Sequence, residues 1–406
     1  MRIWIVNYYT KPDCTNPRYN ELAKHFVAAE HEVLTFYANH NSEETAPLFQ
    51  RYKVNGLDYV EVKAPQFKGN GVARMKSIYV FSKILKKHCN EFKKPDVVLH
   101  NIHPPFDYPV VKMAKKLGAK YIAEAWDLWP EDFVTFGLIG RNNPVLKLAY
   151  AMEKKFYYAA DDIIFTFLGA FDYLKRQGWM KEQGGKIDPK HFHYINNGID
   201  LDEFGKNKVA YPREDADIND PNLTKIVYLG SINKANNVKT LIDAAALLLN
   251  KPSYRFFIYG NGAYRPELEQ YVKDNHINNV VFKETRIPLE ECAWVVSQAT
   301  VNVMNYEKNF GWAGVSSGKM FQYLAAGKPI VCNIDIAYDN VIEDNNLGVA
   351  HDIDTPEEFA EAIRKLAEQP KEDYDAMCER VREVAKRFDY KVLAAQELKI
   401  IESLMA

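Results

Sequence analysis

The chain has 406 residues, 47% hydrophobic and 13% aromatic, with 52 Lys and Arg against 54 Asp and Glu, a formal charge of −2. That length exceeds one ordinary hydrophobic core and predicts two domains of near-equal size. Five scattered cysteines (Cys14, Cys89, Cys292, Cys332 and Cys378) show no ligand spacing, which argues for reduced thiols and against a structural metal. No apolar run approaches the length of a membrane span, and Met1–Val6 reads as a first strand rather than a signal peptide, so a cytoplasmic location is expected.

Arg2–Val6, Glu21–Ala29 and His31–Tyr37 read as strand, helix, strand, from short β-rich runs around an amphipathic segment. The loop between the first strand and helix, with Asp13-Cys14-Thr15-Asn16-Pro17 and then Arg18, offers no glycine cradle and no nicotinamide fingerprint. From Lys63 to Lys120 thirteen Lys and Arg face only Glu91, Asp96 and Asp107, a balance of +10. Within that region Val72–Lys87 puts Ile78, Phe81, Ser82 and Leu85 on one helical side, with Lys76, Lys83, Lys86 and Lys87 around it. Such a helix can lie on anionic lipid or simply pack on a sheet with its lysines in water, and both readings stand.

Asp96–His100 is a buried strand running into His100-Asn101-Ile102-His103; no third ligand supports a metal, and a strand-end histidine facing a crevice is the better reading. Tyr121–Glu124 is the next strand, followed by Trp126-Asp127-Leu128-Trp129-Pro130-Glu131-Asp132. Carboxylates and indoles at a strand's carboxyl end suit a sugar's hydroxyls and apolar face, although Trp129-Pro130 can equally pack the loop. Pro144–Tyr158 reads as a helix, Asp162–Phe167 and Phe192–Ile195 as strands, and the polar stretch Lys206–Thr224 as an interdomain linker. Alternation then restarts with the strands Ile226–Leu229, Phe256–Tyr259, Val280–Phe282 and Val301–Asn305. In Gly311–Val331 a Gly/Ser loop feeds a helix with Met320, Phe321, Leu324 and Ala325 at helical spacing, stopped by Gly327 and Pro329. A helix start of this kind suits a phosphate, and Lys319 in its first turn, where the dipole prefers an acid, is better explained by a bound anion than by helix stability.

The string Ser316–Val331 resembles the nucleotide-binding segment of family 4 glycosyltransferases, which have the GT-B fold, and is closest to their bacterial polysaccharide subgroup. Asp127-Leu128-Trp129-Pro130-Glu131, Asn197-Gly198-Ile199-Asp200…Phe204 and His31-Glu32-Val33 extend the resemblance over nearly the whole chain. It implies two Rossmann-like, doubly wound parallel-sheet domains with a cleft between them. The acceptor domain would be residues 1–205, with a last helix, 390–406, docking back on it, and the nucleotide-sugar domain 206–389. It further implies transfer of a sugar, with retention, from a nucleoside-diphosphate sugar to a saccharide or polyprenyl-linked acceptor in surface-polysaccharide assembly. Neither metal nor other cofactor and no nucleic acid are expected, and an anionic membrane surface is an expected partner.

By the same resemblance Asp127 and Glu131 are the catalytic candidates, and Arg18, His103, Trp126 and Trp129 would meet the acceptor. Gly230, Ser231, Lys234, Asn236, Gly260, Gly262, Arg286, Glu307, Gly314, Ser316, Ser317, Gly318, Lys319 and Gln322 would hold the donor. In that context Asp200-Leu201-Asp202 reads as a turn rather than a metal motif. Several family features are absent: the Gly-Gly after the first strand, the Arg and Lys that grip the diphosphate, an acid at Gln322, and a histidine at Trp126. The first three of these losses keep open a second reading, a non-catalytic partner or scaffold that retained the fold, whereas the missing histidine matches the subgroup; an epimerase of the same fold is a weaker third.

Overall fold

The computed structural model describes all residues except Thr15, Ser42, Glu44, Asn70, Phe136, Leu138, Asn309 and Phe310; Thr15, in the loop after the first strand, therefore lies outside the described residues. The chain divides into two compact units, Met1–Asn196 with Tyr390–Ala406, and Asn197–Asp389.

Unit one is built on β1 (Arg2–Val6), β2 (Glu32–Asn39), β3 (Phe49–Val54), β4 (Leu57–Lys63), β5 (Val97–Asn101), β6 (Lys120–Ala125), β7 (Asp162–Phe165) and β8 (Phe192–Tyr194). They lie in the order β3-β4-β2-β1-β5-β6-β7-β8, parallel throughout except for the antiparallel edge pair β3–β4. Ile3 to Val6 and all of β5 are buried, as expected of central parallel strands covered on both faces. Helix Val72–His88 buries Ser77, Ile78, Phe81, Ser82 and Leu85. The final helix, Tyr390–Ser403, is part of this unit. Arg18, at the start of helix Arg18–Ala28, bonds through Nε to Glu124 at 2.5 Å and through Nη2 to Glu397 on the final helix at 3.3 Å.

Unit two contains β9 (Thr224–Leu229), β10 (Tyr254–Tyr259), β11 (Val280–Phe282), β12 (Val301–Met304), β13 (Ile330–Cys332) and β14 (Gly348–Ala350), in the all-parallel order β11-β10-β9-β12-β13-β14. Renumbered within the unit this is 3-2-1-4-5-6, the doubly wound order whose strand sequence reverses between its first and fourth strands. Unit one reverses in the same way between β1 and β5. Ligands of such sheets bind beyond the carboxyl ends of the strands at the reversal. The stretch read as a linker, Lys206–Thr224, is not a tether: it begins inside helix Leu201–Ala210, capped by Asp200 through its bond from the Glu203 amide (2.8 Å).

Candidate functional site

In unit two the reversal lies between β9 and β12, and the helix Gly318–Ala326 brings one lysine to it. The helix buries Met320, Phe321, Tyr323 and Leu324 and ends at Gly327, whose φ of 67° supplies the left-handed cap. Its N-cap, Ser317, makes no side-chain capping bond, and a Cβ added to Gly318 would meet nothing within 4 Å. The first amides of the helix are thus open to a ligand.

Lys319 passes beside Gly230, where even a Cβ would come within 2.9 Å of the lysine Cδ; only glycine leaves that path clear. Its ammonium sits over the rings of Tyr228 (4.8 Å) and Tyr306 (4.6 Å) and lies 3.3 Å from the Tyr228 hydroxyl. With its amide turned to suit both neighbours, Asn236 donates to the Ser231 carbonyl (2.8 Å) and accepts from Lys319 Nζ (3.2 Å). Asn305, at the end of β12, donates to the Asn236 carbonyl at 2.9 Å and so fixes this turn. No carboxylate pairs with Lys319 among the described residues. Burial pulls its ammonium down to about 8. A cation held by rings and an amide but lacking a counter-ion is arranged for an incoming anion.

The other donor candidates divide into three groups. Ser316 accepts from the Asn197 side-chain amide at 2.9 Å, and Gln322 holds a buried Oε1 without a hydrogen-bond partner. Lys234 and Glu307 line a cavity of about 190 Å³ with Asn237 and Val238, while Ser231 and Arg286 are exposed on the loops after β9 and β11. Gly260 and Gly262 are spacers: a Cβ would lie 1.9 Å from the Gly230 carbonyl oxygen and 2.2 Å from that of Ile232 respectively. Gly260 has a φ of 124° and Gly314 one of 106°, both in the region that favours glycine.

In unit one the loops after β1 and β5 meet at the reversal, where Asn7 donates to Asn101 at 3.1 Å. Beyond them Tyr9 packs edge-on against His103 (5.5 Å), and His103 against Trp129 (5.8 Å). Arg74 donates to the Tyr9 hydroxyl at 2.6 Å. Asp107 accepts at one oxygen from the His103 amide (2.7 Å), His103 Nδ1 (3.0 Å) and His100 Nε2 (3.1 Å). Burial alone would raise Asp107, but its two histidines outweigh burial and hold the carboxyl below its usual range. Asp127 is exposed at the rim, so the crowding that pushes its carboxyl upward acts against good solvent access, and the charges of His103 and Arg74 oppose it. Asp132 accepts from the Leu128 amide (2.8 Å), and burial, with Asp127 and Glu131 nearby, lifts it to about 7.

Three residues expected at the site are placed elsewhere. Arg18 is fully buried, and its guanidinium is consumed by Glu124, Glu397 and the Asn196 carbonyl (2.7 Å), so it cannot meet an acceptor. Glu131 is buried beneath Arg141 (2.8 Å) and the Tyr150 hydroxyl, which removes it as a catalytic carboxylate. Trp126 packs on Tyr19 at 4.9 Å with its indole nitrogen buried, a core contact rather than a sugar platform. Conversely, Tyr228, Tyr306 and Asn305 around the lysine went unread. Each lies at or just beyond a strand end, but nothing local in sequence links them to residue 319.

Residues 18–203 match the family model described as Glycosyltransferase Family 4, and residues 224–369 that of Glycosyl transferases group 1. The chain is 23% identical over 307 residues to probable glycosyltransferase WbjE of Pseudomonas aeruginosa, covering 73% of this chain and 72% of that protein. Its fold is similar to sucrose-phosphate synthase from Thermosynechococcus elongatus (TM-score 0.75, 17% identity, 100% of this chain and 99% of the other). It is similar also to HepE from Anabaena in complex with UDP-glucose (TM-score 0.66, 15% identity, 100% and 99%). The chain is a glycosyltransferase of the GT-B fold. Within that class its first unit carries the family 4 type of domain, and its second the group 1 type.

Proposed function

We propose that the chain transfers a sugar from a nucleoside-diphosphate sugar to a membrane-carried saccharide acceptor in surface-polysaccharide assembly, with retention at the anomeric carbon. The observation that carries the donor half is Lys319, a half-buried cation with no carboxylate partner among the described residues, at the start of an uncapped helix and at the strand-order reversal. Charge developing on the departing diphosphate is met there by the ammonium and by helix amides. These groups supply positive charge without a divalent ion, so turnover is expected to persist in EDTA. HepE is known with UDP and UDP-glucose, and UDP is therefore the first nucleotide to test. A scaffold that had lost the reaction has no use for a half-buried lysine with no carboxylate partner among the described residues, and that reading is not favoured.

The membrane half rests on charge. Helix Val72–His88 has no acidic residue, and it packs beside helix Tyr108–Leu117. Lys76, Lys83, Lys87, Lys112, Lys115 and Lys116 are exposed on this pair, and none is in an ion pair among the described residues. Each contributes roughly 1 kcal/mol near an anionic bilayer, fading with salt. No helix among the described residues is long and apolar enough to cross a membrane.

The test has two arms. Isothermal titration with UDP, GDP and dTDP, followed by turnover of the matching sugars, should single out one nucleotide. No binding of any of the three would sink the donor assignment. Co-sedimentation with anionic and neutral liposomes at low and high salt should show salt-sensitive binding to the anionic set alone, lost when Lys76, Lys83 and Lys87 become Gln. Equal binding to both sets would leave the lysines a solvated face.

A further inference from the structure

We propose that helix Pro144–Tyr157 is an apolar anchor that seats unit one in the headgroup region of an anionic bilayer; this rests on the membrane half of the reading above. The helix turns Leu146, Glu153, Phe156 and Tyr157 into the core. Its opposite side is not the polar face that a solvated helix presents. Val145 and Leu148 are 63% and 66% exposed, and exposed Ala151 follows one turn further on. The exposed charges of the helix are Lys147 and Lys155 alone. Its one acid, Glu153, points inward and is held by the hydroxyls of Tyr157 (3.0 Å) and Tyr173 (2.5 Å). Aliphatic side chains flanked by cations, with no acid on the same side, suit the boundary between anionic headgroups and acyl chains.

The place of the helix in unit one supports the same partner. The crossovers from β4 to β5, β5 to β6 and β6 to β7 run in one direction across the sheet, so their helices lie on one face of it. Helix Pro144–Tyr157 therefore extends the lysine-bearing pair Val72–His88 and Tyr108–Leu117, and Phe156 meets Tyr108 edge-on at 5.1 Å. Its first turns are also tied to the loop after β6: Glu131 accepts from Arg141 (2.8 Å), just before the helix, and from the Tyr150 hydroxyl within it. That loop carries Asp127 and Trp129, at the carboxyl end of the sheet where ligands of such folds bind. An anchor here brings the same edge of unit one to a lipid-carried saccharide. A second copy of the chain suits this face less well, because a two-fold contact would set the lysines of one copy toward those of the other.

A fluorescent label and a partition measurement test the anchor. Leu148→Cys receives a nitrobenzoxadiazole label in a chain with Cys14→Ser, whose other native cysteines are buried. On vesicles of phosphatidylglycerol mixed with phosphatidylcholine, the label should shift its emission to the blue and become shielded from aqueous iodide. The unlabelled double variant Val145→Ser, Leu148→Ser should melt with wild type, since neither side chain is buried. It should partition onto the same vesicles about tenfold or more weakly, with the dependence on salt unchanged because every lysine remains. A vesicle-bound chain whose label stays in water, or a double variant that partitions as wild type does, would overturn the anchor and leave the membrane reading standing. Wild-type chain that binds no anionic vesicles overturns the membrane reading, and the anchor with it. Self-association in solution that the same two substitutions abolish would give this face a protein occupant and overturn the anchor too.

Discussion

The two units share a strand order and differ in what fills the place where it reverses. Unit two puts one lysine there, between two tyrosines and, among the described residues, with no carboxylate paired to it. Unit one puts Asp127 and Asp132 there with His103, Tyr9 and Trp129, and keeps its strongest ionic cluster, Arg18 with Glu124 and Glu397, deep in the core instead. The same strand order thus carries a lone lysine between rings in one unit, and acids, an imidazole and aromatic rings in the other. Function follows the residues at the strand ends, not the fold.

The largest expected effect falls on unit one. Arg18→Met should destabilise the chain by about 3–5 kcal/mol, since it leaves two carboxyls buried beside each other. Heat denaturation measures this, and a loss under 1 kcal/mol would show that Glu397, raised by burial and by Glu124, already carries a proton and needs no partner.

In unit two, Lys319→Met should weaken nucleoside-diphosphate binding by about 1.5–3 kcal/mol. It should also stabilise the unliganded chain near neutral pH, because the folded state holds this charge at a cost. The sign follows from the depressed value of about 8. Between there and the free-lysine value the unfolded chain binds more protons, so wild-type stability rises with pH in that window, and the variant should lack the rise. Calorimetry without ligand decides it: a variant less stable than wild type would mean that the ammonium's ring contacts outweigh its desolvation.

A smaller effect concerns Glu153, buried in unit one and held by the hydroxyls of Tyr157 (3.0 Å) and Tyr173 (2.5 Å). Burial raises its carboxyl well above the usual range. The folded chain therefore binds the extra proton, and its contribution is full at acid pH and lost as pH rises through the raised value. Glu153→Gln should flatten that decline, seen as a melting temperature that exceeds wild type at pH 8 but not at pH 5. The smallest effect is on Gln322→Glu, which should keep nucleotide affinity or tighten it by under about 1 kcal/mol, since a carboxylate offers two acceptor oxygens to ribose where the amide offers one. A large loss on titration would show that the amide N–H is the contact and that the ribose lies otherwise.

Much of this was legible along the chain. The buried strands, the helix Gly318–Ala326 with its glycine stop, and the lysine at odds with the helix dipole follow from periodicity, capping chemistry and charge, which act over a few residues. The inward side of helix Val72–His88 follows from the same spacing. What only the tertiary structure decided is which polar groups are consumed by others. Arg18 looks like a free loop cation until Glu124 and Glu397, 106 and 379 residues away, are folded onto it. Glu131 looks like a second acid until Arg141 and Tyr150 cover it. His100 and His103 are alike in sequence and both are buried on Asp107, but the fold gives His100 the Tyr121 hydroxyl as a second partner and packs His103 between the rings of Tyr9 and Trp129. A hydrogen bond between distant residues leaves no periodic trace in the chain, so the sequence determined where each unit's strands and helix starts lie, and packing determined which of their side chains stay available for chemistry.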